Sequence, residues 1–143
     1  MSEKWGRRLF VAGAIVLVLA GLVHSLSLFG TPAPANDTER QLLDLMTTYK
    51  FNLMGSMRSA DTLMTGFSIA FMLGMFAIGA LDFSLIRERA GLLKRIALIN
   101  SIWLALMTAL SLRYFFAAPT SFLVTGLAIF VLAWILLPSR NAQ

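Results

Sequence analysis

The sequence contains no cysteine and a single histidine, and only 13% of its 143 residues are charged. Without cysteine there can be no disulfide, no thiolate nucleophile and no Cys-ligated metal. One histidine excludes a zinc triad, an HExxH site and, within one chain, bis-histidine haem. His/Met haem ligation has no supporting motif, and no glycine-rich loop is present to cradle phosphate. These absences argue against an enzyme and leave no cofactor or metal site in view. The scarcity of charge excludes more. Soluble domains are about 25% charged and about 45–50% apolar. Here 58% of residues are hydrophobic and mean hydropathy is +0.78, more apolar surface than a soluble fold of this size can hide. The solvent for most of the chain is lipid.

Four apolar runs approach the roughly 20 residues needed to span a hydrocarbon core. They predict spans at about 9–29, 62–83, 96–116 and 119–137. Unpaired backbone groups are costly in lipid and none of these runs alternates as a barrel strand would, so the spans are predicted to be helices. The expected fold is all-α: one domain over residues 1–143, an antiparallel four-helix transmembrane bundle.

The excess of Lys and Arg, a net charge of +5, reads as a membrane signature rather than a nucleic-acid one. Lys4, Arg7 and Arg8 precede the first span, Arg87, Arg89, Lys94 and Arg95 follow the second, and Arg140 follows the fourth. The positive-inside bias then puts both termini in the cytoplasm of a bacterial inner membrane. The start MSEKWGRRLF resembles the basic head of a secretory signal, with a loose twin-arginine pattern and a small-residue APA at 33–35. The apolar run is too long, and too far from APA, for cleavage, so a retained helix is expected.

Between the first two spans lies a longer external segment. GTPAPAND reads as a turn, and Thr38 with Gln41 forms a capping-box pattern. Leu42, Leu45, Met46, Tyr49, Leu53 and Met57 then recur at helical spacing. This predicts an external amphipathic helix over about 38–57, lying on the surface or over the bundle. DFSLIRERAGLLKR is expected to be a short cytoplasmic link, and FAAPTS a tight external hairpin with Pro119 in a first helical turn. Rows of small residues, Gly66/Ala70/Gly74, Ser101/Ala105/Ala109 and Gly21 with Ser25, predict close helix packing, first of all within the chain.

Polar side chains gather at one depth. If the helix extends back through GSMRSADTLMTGFS, Arg58, Asp61, Thr65 and Ser68 share a face. His24, five residues from the outer end of the first run, and Thr108, below Arg113, approach the same level. Ionisable groups within spans are rare. His24, Arg58, Asp61, Thr65, Ser68, Thr108 and Arg113 are therefore the candidate ligand pocket, opening to the outer leaflet. Local alternatives exist for each member: a carbonyl partner for His24, an i,i+3 pair of Arg58 with Asp61, and back-bonded hydroxyls.

In topology, with GLVHSL ending the first span and MRSADTLMTGFS opening the second, the chain resembles small bacterial four-span membrane proteins. More distantly, it resembles the DoxX-like group. The DoxX-like resemblance implies a membrane partner in a quinone-linked or redox assembly, although no cofactor ligand matches. Small multidrug transporters also have four spans, but they carry an embedded Glu in the first, and this first span has no acid. The functional expectation is a non-enzymatic membrane bundle that binds a lipid-like or amphipathic small molecule, or serves as a subunit of a membrane complex. The alternative is a small homo-oligomeric transporter or channel.

Overall fold

The structure, a computed structural model, describes residues 2–30 and 33–139. Thr31, Pro32 and Arg140, used above for the external turn and the charge bias, lie outside the described residues. In chain order come α1 (Ser2–Leu26), one 3-10 turn (Ser27–Phe29), α2 (Asp37–Thr48), β1 (Lys50–Leu53), β2 (Ser56–Ser59), α3 (Ala60–Leu85), α4 (Ala90–Tyr114) and α5 (Ala117–Leu136). The helices α1, α3, α4 and α5 are long and apolar enough to cross a membrane.

The helix α1 is the centre of the packing. It lies against α3 on one side and α5 on the other, and α5 in turn lies against α4. Although consecutive, α3 and α4 pack on these neighbours more than on each other. Close approach depends on glycine. A Cβ on Gly13 would stand 2.7 Å from the Phe130 ring, and one on Gly79 would stand 2.7 Å from Val18 Cγ2. Phe10 meets Phe130 edge-on with ring centroids 5.8 Å apart, inside a core that includes Leu17, Met75, Leu93, Ala97 and Leu104. Most other large apolar side chains point outward, among them Leu22, Phe67, Leu106 and Ile135. An apolar exterior around an apolar core is what lipid as solvent requires.

One end is tied by cations. Arg7 Nη1 donates to the carbonyls of Ile86 (3.3 Å) and Glu88 (2.8 Å), while Arg7 Nε pairs with Glu3 at 3.0 Å. Lys94 Nζ donates to the Leu137 carbonyl at 2.7 Å. The start of α1, the end of α3, the start of α4 and the end of α5 therefore meet. At these helix ends, carbonyls without intrahelical partners receive charged donors from other helices.

Four expectations need correction. The external helix predicted over 38–57 ends at Thr48, and residues 50–59 form an antiparallel hairpin in which Phe51 faces Arg58 and Asn52 faces Met57. The turn holds Met54 at φ +49° and Gly55 at φ +91°, the double positive-φ geometry that matches strand twist. Asn52 Oδ1 accepts from the Gly55 N–H at 2.8 Å. The cap of α2 is also displaced. Asn36, not Thr38, accepts from the Glu39 N–H (2.9 Å), while the Glu39 carboxylate reaches back to the Ala35 N–H. The link between α3 and α4 shrinks to residues 86–89, because helical hydrogen bonding carries α3 through Asp82 and α4 begins at Ala90. Last, Gly66, Ala70 and Gly74 do not pack within the chain, and a Cβ on either glycine would meet nothing within 4 Å.

Candidate functional site

The residues chosen from the sequence fall into separate groups. Arg58 stands on β2, exposed, and its Nη1 donates to the Met57 carbonyl at 2.9 Å. The helix begins only after Ser59, a buried N-cap that accepts from the Thr62 N–H, so Arg58 does not share a helical face with Asp61. Asp61 is exposed in the first turn of α3, where a carboxylate suits the helix dipole. No ion pair joins Arg58 to Asp61 among the described residues. Thr65 is exposed and Ser68 half-buried one turn further on. His24 lies across from them, half-buried in the last turn of α1. Its ring packs edge-on against Phe71 of α3 with centroids 4.9 Å apart.

Thr108 and Arg113 belong to a second group, on α4. Thr108 is buried, and its hydroxyl has no hydrogen-bond partner among the described residues. Arg113 is exposed in the last turn. Between them Ser111, 2% exposed, hydrogen-bonds Thr120 of α5 at 2.7 Å. No hydrogen bond among the described residues links this group to His24, Asp61 or Arg58. The candidates are divided between the α1–α3 contact and the neighbourhood of the α4–α5 contact.

Beside the second group is an open depression of about 490 Å³, lined by Leu112, Phe115, Phe116, Ala117, Thr120, Ser121, Val124 and Thr125. Its lining combines two aromatic rings and aliphatic carbons with three hydroxyls, of which Thr120 bonds Ser111 and the Phe116 carbonyl and Ser121 donates to the Ala118 carbonyl. A smaller depression, about 370 Å³, is bounded by Leu45, Met46, Tyr49, Phe51 and Ala60, where α2 and β1 meet the start of α3. Both lie at the end of the molecule opposite the cationic ties. Their chemistry suits an amphiphile: apolar contact area with a few orienting polar groups.

Sequence reasoning passed over the most buried ionisable side chain described. Asp82, 1% exposed on α3, accepts from Asn100 Nδ2 of α4 at 2.8 Å through Oδ2. Its other oxygen, Oδ1, is buried with no partner among the described residues. An acid in the last apolar turn reads in sequence as the beginning of a loop. Only helix continuation past it, and an amide waiting on another helix, reveal it as interior. No cluster of three or more potential metal-ligating His, Cys, Asp or Glu is present among the described residues. Comparison with models of protein families, with curated proteins and with solved structures found no match to this chain.

Proposed function

We propose that this is an integral protein of the bacterial inner membrane, an antiparallel four-helix bundle with both termini cytoplasmic, that holds a lipid-like or amphipathic molecule at its outer end. The observation that carries the reading is the depression between the ends of α4 and α5. There Leu112, Val124 and Phe116 offer an acyl-sized apolar surface beside the hydroxyls of Thr120, Ser121 and Thr125. Arg113 stands exposed in the adjoining turn, within reach of the headgroup zone. The helix α2 presents exposed Leu42 and Leu45 beside charged residues and lies on the interface as an amphipathic cover near the second depression.

Native mass spectrometry of the protein in mild detergent tests the assignment. Wild-type protein is expected to retain a bound amphiphile. Ser121→Trp, which fills the depression from its exposed rim, is expected to lose it while keeping its helical circular dichroism. Equal retention by both proteins would remove the assignment.

A subunit role is the second reading. It is favoured by the outward row Gly66, Ala70 and Gly74, which leaves α3 free for close approach by a helix of a second copy or of a membrane partner.

A further inference from the structure

The carboxyl of Asp82 stands apart from the outer-end site and from every contact that ties the helix ends. It lies one turn inside the end of α3, and its amide partner, Asn100, is 6% exposed on α4. The charges around it are occupied or turned away. On α1, Arg7 is given to Glu3 and to the carbonyls of Ile86 and Glu88, while Lys4 and Arg8 are exposed. On α4, Lys94 is given to the Leu137 carbonyl and Arg95 is exposed. Arg87, Glu88 and Arg89 of the connecting turn are exposed as well. None of these forms an ion pair with Asp82 among the described residues.

We propose that Asp82 and Asn100 form a reversible proton-binding site within the membrane-embedded bundle. An amide suits this task because it presents donors at one end and an acceptor at the other. With the carboxyl ionised, Asn100 donates N–H to Oδ2. With a proton on the carboxyl, the amide turns and its oxygen accepts the O–H. The proton comes from, and returns to, water at the nearby helix ends, and no other bond is made or broken. A metal cation fits less well. Hard cations call for about six oxygen ligands, whereas the pair offers only the oxygens of one carboxyl and one amide. Ionisable groups at such positions are rare enough in spans that a functional role is the ordinary reading.

Dicyclohexylcarbodiimide partitions into apolar interiors and adds to protonated carboxyls, giving a stable N-acylurea that peptide mass spectrometry locates. The intact protein in detergent is expected to carry one adduct, on Asp82. Its formation rate should fall about tenfold per pH unit above the titration midpoint. Asp82→Asn keeps an amide contact with Asn100 and is expected to abolish the adduct. It should also remove a protonated-carboxyl stretch from the infrared pH-difference spectrum without changing helix content. Asn100→Leu, which withdraws the amide from both states, should move the midpoint. A labelling rate and infrared spectrum indifferent to pH would overturn the proposal and leave Asp82 as a fixed structural hydrogen bond. Protection by sodium at constant pH, with none from choline, would overturn it in favour of a cation site.

Discussion

Two kinds of glycine divide the residues of this chain. Gly13 and Gly79 sit where neighbouring side chains already occupy the space of a Cβ, whereas Gly66 and Gly74 face open surroundings. Substitution to alanine should therefore have opposite signs. Gly13→Ala and Gly79→Ala are expected to destabilise by about 1–3 kcal/mol through overpacking. Gly66→Ala and Gly74→Ala are expected to be neutral or stabilising by up to about 1 kcal/mol, because alanine is the better helix former. Thermal unfolding in a single detergent, followed by circular dichroism, checks the contrast. Equal losses at all four positions would mean that α3 is covered on its outer face. Sequence spacing could not have sorted these glycines, since Gly66, Ala70 and Gly74 have the better four-residue repeat and yet the contacts belong to Gly13 and Gly79. Which way a helix is turned depends on its partners, and that information is not local. Asp82 was missed for a related reason: hydropathy ends at the first acid, whereas a helix ends where its hydrogen bonds do.

The elements divide the same way. The four long helices were legible because about 20 apolar residues admit few other structures in lipid. The hairpin was not, because Leu42, Leu45, Met46 and Tyr49 start a helical period that Leu53 and Met57 happen to continue. A period-two signal was available: Tyr49, Phe51 and Leu53 alternate with Lys50 and Asn52, and a two-residue turn ending in glycine follows. That turn is the fragile point of the external segment. Gly55→Ala places a Cβ at φ +91° and is expected to cost about 1–2 kcal/mol locally. Met54→Asn suits its left-handed position and should slightly stabilise the turn. Hydrogen exchange over residues 50–59 reads both effects. Unchanged protection in Gly55→Ala would mean that the strands are held by something other than their turn. The outer-end depression was not legible: none of the seven residues singled out by depth lines it, because its border depends on how α4 and α5 meet rather than on position along either helix.

At the scale of the whole molecule, the absence of native cysteine makes single-cysteine labelling a direct test of orientation. Ser2 and Ser139 lie at the end tied by Arg7 and Lys94, whereas Asn52 and Ser121 lie at the other. With both termini cytoplasmic, cysteine at Ser2 or Ser139 should be labelled by a membrane-impermeant maleimide only after the cells are opened. Cysteine at Asn52 or Ser121 should be labelled in cells whose outer membrane alone has been permeabilised. The reverse pattern would invert the molecule and place the α4–α5 depression in the cytoplasmic leaflet.

The central position of α1 also has a consequence for how the chain is made. The helix α1 packs against α3 and against α5, which is synthesised well after it, and the Phe130 ring that fills the gap over Gly13 belongs to that later helix. Until α5 is inserted, Gly6 and Gly13 lack the Leu137 and Phe130 side chains that pack over them, and the ammonium of Lys94 has no Leu137 carbonyl to cap. Helix insertion and helix assembly are thus separated in time, because the closest contacts of α1 cannot form before α5 is in place. Such an intermediate carries an open groove along α1, which the Phe130 and Leu137 side chains later fill.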